Sequence, residues 1–283
     1  MTPVLHLSRM PELPEVETIR RALQPALVGA RIESVALLDP SLAGPGGADA
    51  VAGVIGHQVN AVLRRGKHLI LLLENDRAIV LHLRMTGALL LQEPEHHARV
   101  RAVLSFSTGE RLRFNDMRRL GTMRVIDDVA ALMQQMGPEP LDDEFTVRVL
   151  ADRLLRRHMP IKAALLDQHV IAGIGNMYAD EALFQSRINP LEPADELLPA
   201  QYQQLCDAIR DVLQRAIESH GASINTYWLP SGRTGSAHEA FCVAHKLGAP
   251  CPRCGTPIAR IMVRKRGAYF CPKCQPFPSP AVR

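Results

Sequence analysis

Apolar residues recur every three to four positions near the start of the chain. Val16, Ile19 and Leu23, with Leu27 one turn further on, form a single stripe from Pro14 onward, and Gly29 closes the run. This spacing predicts an amphipathic helix from Pro14 to about Leu23. Beyond it the period drops to two. Arg31–Leu38 reads as a strand and is followed by a Pro/Gly-rich loop around Gly44–Gly47. Seven further runs have strand character: Val59–Arg64, His68–Leu73, Ile79–Arg84, Ala88–Leu91, Arg101–Ser107, Arg111–Asn115 and Met123–Ile126. Turn-forming clusters such as Glu74-Asn75-Asp76 and Thr108-Gly109-Glu110 separate them at near-hairpin spacing. The pattern predicts an antiparallel β-sandwich with the first helix packed alongside.

Gly137-Pro138-Glu139-Pro140-Leu141-Asp142-Asp143 interrupts this with linker composition, and afterwards the period becomes about 3.6. Phe145–Arg156, Ile161–Gln168, Tyr178–Gln185 and Ala200–His220 read as helices. In the tail, Ile258–Arg264 and Ala268–Phe270 can pair as a hairpin. The expected fold class is therefore α+β. A β-sandwich domain spans residues 11–136, a linker 137–144, a helical domain 145–240 and a small cysteine-bearing module 241–276. No internal repeat or low-complexity tract is present.

The 283 residues suffice for two domains, each with its own core. No apolar run reaches the roughly 18 residues of a membrane span. Met1–Arg9 is too short and too polar for the core of a signal peptide, so the sequence reads as that of a cytoplasmic protein with no membrane partner. The net charge of +4 hides an asymmetry: residues 1–126 carry +4, residues 127–200 carry −7 and residues 201–283 carry +7. Two basic ends around an acidic middle suggest a polyanion as partner. Of the basic residues 28 are Arg and 5 are Lys, and only Lys67 and Lys162 precede residue 240. Lysine, unlike arginine, can release a proton, which singles out these two.

Four of the six cysteines form two pairs, Cys251-Pro-Arg-Cys254 and Cys271-Pro-Lys-Cys274, sixteen residues apart. That is the spacing of a four-thiolate zinc site rather than of a redox dithiol. A closed set of four thiolates leaves no open coordination position, so one structural zinc is expected. Cys206 and Cys242 lack partner spacing. The intervening hairpin carries Arg260, Arg264, Lys265 and Arg266, a concentration suited to a phosphate backbone, with a solvated basic turn as the alternative. Gly173-Ile174-Gly175-Asn176 precedes a helix, where free N–H groups favour an anion. It lacks the spacing of a nucleotide-binding loop.

By residue chemistry alone, Met10-Pro11-Glu12-Leu13-Pro14-Glu15-Val16-Glu17 is a helix start, with proline in the first turn and acids at the positive end of the dipole. The string also resembles the N-terminus of the formamidopyrimidine-DNA glycosylases, the Fpg/Nei family of bacterial base-excision enzymes. The resemblance runs from Met10 to Cys274. It implies that Pro11, freed as an N-terminal amine, is the nucleophile. A free α-amino group has a pKa of about 8, so far more of it is neutral and nucleophilic at physiological pH than of a lysine near ~10.4, and its attack on a sugar carbon gives a Schiff base. Glu12 would protonate the ribose ring oxygen and shuttle protons in elimination, with Glu15 supporting it. Lys67, in Arg65-Gly66-Lys67-His68, and Arg266, before the second cysteine pair, match phosphate-gripping residues.

The same resemblance makes Ala172–Glu181 a helix–two-turns–helix element in which Asn176 binds the DNA backbone. It assigns Met85, in Leu81–Gly87, to one void-filling loop, although a core methionine fits that pattern as well. In Asp116-Met117-Arg118-Arg119-Leu120-Gly121, Arg118 would stand in for the evicted base, with Arg119 beside it, and Leu120 would wedge the stack where the Fpg branch usually has Phe. Lys162 matches a lysine near the damaged nucleotide. The implied function is excision of oxidised purines (8-oxoguanine, formamidopyrimidines) from duplex DNA by a monomer, followed by β,δ-elimination at the abasic site. Phe241–Gly248 departs from the family's usual Val-Tyr-Gly-Arg type of sequence. This keeps open a Nei-like enzyme for oxidised pyrimidines. A catalytically silent DNA-binding member also stays open, because residues 1–10 precede the proline: a tertiary amide has no lone pair with which to attack. Translation from Met10, or cleavage of this leader, is the expectation.

Overall fold

The structure, a computed structural model, describes residues 10–44, 47–93, 99–224 and 227–277. The first nine residues of the leader and two residues of the Gly44–Gly47 loop lie outside the described residues. The chain forms two compact units. One holds the described residues up to Gln134 together with Ile217–His238, and the other holds Gln135–Ala216 with those from Glu239 onward.

The first unit begins with α1 (Leu13–Leu27). Glu12 is its extended N-cap, and the Glu15 carboxylate accepts the Glu12 N–H at 2.8 Å, satisfying a donor that the helix itself cannot. Val16, Ile19, Leu23 and Leu27 are all at most 1% exposed and belong to the main apolar core. Burying each contributes about 2 kcal/mol, against ~1 kcal/mol for a cap, so the stripe rather than the cap fixes the helix in place. The helix continues past Leu23 because Pro25 only removes one donor near the end, and Gly29 then turns the chain at φ +84°.

Eight strands follow: β1 (Ile32–Leu37), β2 (Val59–Arg65), β3 (His68–Leu73), β4 (Ala78–His82), β5 (Gly87–Leu90), β6 (Val100–Phe106), β7 (Arg111–Asp116) and β8 (Thr122–Ile126). They pair antiparallel in two four-stranded sheets, ordered β1-β6-β7-β5 and β2-β3-β4-β8. α1 packs against β2 and β3. β4 is buried along its whole length because both its faces are covered. Ile79 and Leu81 enter the main core, whereas Ala78 and Val80 meet a smaller cluster containing Leu132 and Met133. Those two residues belong to α3 (Val129–Gln134), a helix the alternation did not predict. α2 (Gly47–Ala52) was also unforeseen, since it buries only Val51 and leaves no periodic trace.

The second unit contains α4 (Val147–Leu154), α5 (Ile161–Leu166), α6 (Asn176–Gln185) and α7 (Pro199–Glu218), the last two residues of α7 being counted with the first unit. Thr146 caps α4, its hydroxyl accepting from Val149 N. α4 and α5 are each shorter than the apolar spacing suggested. β9 (Ala259–Val263) and β10 (Arg266–Phe270) form the expected hairpin, and β10 lies against α6. One difference from the boundaries read in the sequence concerns Ile217–His238, which gathers with the sandwich. Tyr227 enters the sandwich core and Leu91 N donates to Pro230 O at 2.9 Å. A lone aromatic and one backbone bond leave no period in the sequence.

Candidate active site and metal centre

Pro11, Glu12 and Glu15 are all buried, Glu12 at 3% and Glu15 at 1% exposure. Glu15 has two duties. One carboxylate oxygen takes the Glu12 N–H and the other takes Ala222 N at 2.8 Å, so the acid links the helix start to a segment more than two hundred residues away. Gly221 makes room for this: a Cβ there would stand 3.1 Å from the Glu15 Cγ and carboxylate, and its φ of +78° favours glycine. The Tyr227 hydroxyl donates to the Glu15 carbonyl at 3.4 Å, and burial, seconded by the Glu15 charge, pushes its pKa up. Glu17 ties the helix to β2 through Arg64 at 3.2 Å. Burial would raise the Glu17 carboxyl, but hydrogen bonds from Arg20 and Arg21 and the nearby guanidinium charges reverse this and hold it at about 2.

Lys67 sits at 6% exposure in the β2–β3 turn, which Gly66 allows at φ +54°. The pairing of β3 with β4 places His68 opposite His82, their rings edge to face at 4.6 Å. His82 was not singled out in the sequence, because a histidine on a buried strand carries no signal without a partner. Its Nδ1 accepts from Arg84 N at 3.0 Å, so the ring proton resides on Nε2. Burial foremost, then the charges of His68, Arg84 and Lys67, lowers its pKa to about 3. In the unfolded chain the same group titrates near ~6.5. Between these values the unfolded state binds the extra proton, so stability falls as pH drops from about 6.5 towards 3. His82→Gln is expected to flatten the dependence of the melting temperature on pH in that window. An unchanged slope would place the titration elsewhere.

Met85 lies in the β4–β5 loop, and Arg118, Arg119 and Leu120 in the β7–β8 loop. β5 and β7 are neighbours and pair Gly87 with Asp116, so the two loops leave the sheet side by side. Met85 is partly exposed, Arg118 exposed, and Leu120 is 42% exposed although apolar. Arg119 pairs with Asp39 at 3.2 Å.

In the second unit Asn176 opens α6 after Gly173 (φ +84°) and the N-cap Gly175. Arg266 is exposed at the start of β10. Lys162 lies inside the second unit. It is 0% exposed, and its ammonium donates to Asp180 Oδ1 and to Gly267 O, each at 2.6 Å. These bonds join α5 to α6 and β10. Burial raises the Asp180 carboxyl and the Lys162 charge pulls against it. The adjacent Glu181 accepts three backbone N–H groups, from Cys242, Val243 and Ala244, each at 2.8 Å. The sequence hinted at neither acid beyond their place in Tyr178-Ala179-Asp180-Glu181.

Cys251, Cys254, Cys271 and Cys274 bring their sulfur atoms within 4.8 Å of one another. The separations of 3.9 Å (Cys251 to Cys274) and 3.5 Å (Cys254 to both Cys271 and Cys274) are close to the roughly 3.8 Å edge of a tetrahedron with Zn–S bonds of about 2.3 Å. The four thiolates therefore fit one zinc ion. All four coordination positions are filled by protein, so the ion's contribution is to cross-link the two knuckles around the β9–β10 hairpin. Gln275 fastens the tail: its side chain takes Cys271 N and gives to Ile188 O. Chelation, or Cys254→Ser, is expected to release about one zinc per chain and to make residues 248–276 protease-sensitive, since metal binding supplies folding free energy in such modules. Unaltered protease resistance without metal would count against a structural role.

The three parts of this arrangement match, in chain order, three family models: the formamidopyrimidine-DNA glycosylase N-terminal domain over residues 10–123, the H2TH domain of the same enzymes over 136–227, and the zinc finger found in FPG and IleRS over 248–276. The formamidopyrimidine-DNA glycosylase of Chloroflexus aurantiacus is 48% identical over 271 residues, covering 94% of this chain and 98% of the relative. Among solved structures, a Lactococcus lactis FPG mutant in complex with DNA containing Fapy-dG superposes with a TM-score of 0.86 at 35% identity, over 94% of this chain and 100% of that one. MutM in complex with DNA containing carbocyclic 8-oxo-G gives 0.85 at 35% identity with the same coverage. Near half identity across almost the full length of both chains, in one order of parts, admits a single assignment: the chain belongs to the formamidopyrimidine-DNA glycosylase family.

Proposed function

We propose that the chain is a bifunctional DNA glycosylase and abasic-site lyase of base-excision repair, acting on oxidised purines such as 8-oxoguanine and formamidopyrimidines in duplex DNA. The observation that carries this is family membership across the whole length, with related structures that hold the damaged bases themselves. Because the relatives bear the formamidopyrimidine enzyme's name, an enzyme directed at oxidised pyrimidines is the weaker reading.

In the proposed mechanism the damaged nucleotide is flipped out of the stack. The Pro11 nitrogen lone pair forms a bond to C1′ as the bond from C1′ to the base breaks, and the base departs with the electron pair. Glu12, buried beside it, delivers a proton to the ring oxygen, which opens the sugar to an iminium. Removal of the C2′ proton, next to the iminium, expels the 3′ phosphate, and removal of a second proton, from C4′ of the unsaturated iminium so formed, expels the 5′ phosphate. Glu15 keeps the Glu12 backbone in place through its N–H. Lys67, Arg266 and Asn176 grip phosphates; Met85, Arg118 and Leu120 fill the vacated stack, with Arg119 held by Asp39. Zinc maintains the hairpin that presents Arg266. No helix among the described residues is long and apolar enough to cross a membrane, and the proposed setting is the bacterial cytoplasm and nucleoid, with the enzyme a monomer.

The test is borohydride reduction in the presence of 8-oxoguanine duplex, using protein that begins at Pro11. A covalent adduct whose cross-linked peptide starts with Pro11 is expected. Absence of both adduct and strand cleavage would sink the reading.

A further inference from the structure

We propose that Asp116 is a positioning residue whose carboxylate holds the β4–β5 and β7–β8 loops in one arrangement and so sets where Met85, Arg118 and Leu120 project. The proposal rests on the reading above, in which these three side chains take the place of the displaced base.

Asp116 is the last residue of β7, 1% exposed, and pairs in register with Gly87, the first residue of β5. It therefore stands where both loops depart. Its side chain accepts four hydrogen bonds. Oδ1 takes the Thr86 hydroxyl and Arg118 N (3.1 Å), and Oδ2 takes Leu120 N (2.8 Å) and Gly121 N (2.7 Å). Arg118 N also reaches the Thr86 hydroxyl oxygen at 3.0 Å, closing a small network between the loops. The main chain of Asp116 is itself fixed, giving N–H to Arg99 O and accepting from Arg101 Nε at 2.7 Å.

The bonds bracket a costly conformation. Arg119 lies between Arg118 and Leu120, whose backbone N–H groups Asp116 holds, and its φ is +56°, a region that arginine rarely occupies. Arg84, just before Met85, has φ +52° in the other loop. Both loops end on a glycine without room for a side chain: a Cβ would come 2.4 Å from Leu83 O at Gly87 and 2.7 Å from the Phe114 ring at Gly121. Such strain persists only where surroundings over-determine it. Here they do so for no gain in core packing, since Met117 is 58% and Leu120 42% exposed. The network fixes the backbone that carries Met85, Arg118 and Leu120 in one arrangement before any DNA is present.

The test compares the full chain beginning at Pro11 with its Asp116→Asn and Thr86→Val variants. Asparagine cannot accept on both sides, and valine deletes the hydroxyl link at nearly unchanged shape. Single-turnover excision of 8-oxoguanine from duplex is expected to fall at least tenfold with Asp116→Asn and less with Thr86→Val. Borohydride trapping on a single-stranded abasic-site oligonucleotide, where there is no stack to wedge and no base to remove, should stay within twofold. Adding Asp116→Asn to the combined Met85→Ala, Arg118→Ala and Leu120→Ala variant should cost little further, because every positioned side chain is already gone. Excision within twofold of the unaltered chain in both variants, or a parallel fall in single-strand trapping, would overturn the proposal. If Asp116→Asn fails to fold, Thr86→Val decides it. If the unaltered chain traps on neither DNA, the glycosylase reading itself fails, and the role of Asp116 with it.

Discussion

Protein that keeps Met1–Met10 ahead of Pro11 is expected to bind abasic-site duplex almost as well as protein beginning at Pro11, yet to give no borohydride-trapped adduct. The loss should be at least about a thousandfold, the scale seen when a nucleophile is removed from a site that still binds. The reason is electronic. Within the chain the Pro11 nitrogen belongs to a tertiary amide whose lone pair is delocalised into the carbonyl. Freed, it is a secondary amine with a pKa near ~8. The environment suits such an amine: Pro11 is buried and Glu12, next to it, is 3% exposed. Intact mass of the trapped species decides the matter. An adduct that still contains Met1–Met10 would remove Pro11 as nucleophile and make Lys67 the amine to test next.

β7 was readable because Leu112 and Phe114 alternate with polar residues, β3 because its apolar run Leu69–Leu73 is bounded by turn signals, and the α1 stripe because Val16, Ile19, Leu23 and Leu27 repeat with the helical period. The zinc ligands were legible for a different reason: two Cys-x-x-Cys pairs constrain their own geometry through short local spacing. What escaped was whatever depends on one long-range contact. Glu15 meets Ala222, Lys162 meets Gly267 and Tyr227 enters the sandwich core, and none of these contacts leaves a period or a spacing. The acids Asp116, Asp180 and Glu181 were passed over for the same cause. A carboxylate that accepts backbone N–H groups looks, in a sequence, like any surface acid.

Lys162 is where sequence resemblance and geometry pull apart most, and the difference is measurable. Lys162→Met leaves the Asp180 carboxylate buried without its cation, which is expected to destabilise the second unit by about 3–5 kcal/mol. Asp180→Leu should do comparable damage by stranding the ammonium. Combined, the two substitutions replace an ion pair with apolar side chains, and much of the loss should return. A deficit of roughly 1–3 kcal/mol should remain, because Gly267 O also loses its donor. The recovery discriminates between roles. If Lys162 is a strut that holds β10, and with it Arg266, against α6, then the double variant regains single-turnover excision together with its melting temperature. If Lys162 acts on the damaged nucleotide, stability returns while excision does not. Full enclosure of the side chain and its two short bonds favour the first outcome. A stable double variant that binds lesion duplex and fails to cleave it would instead require the second unit to open far enough to expose this lysine.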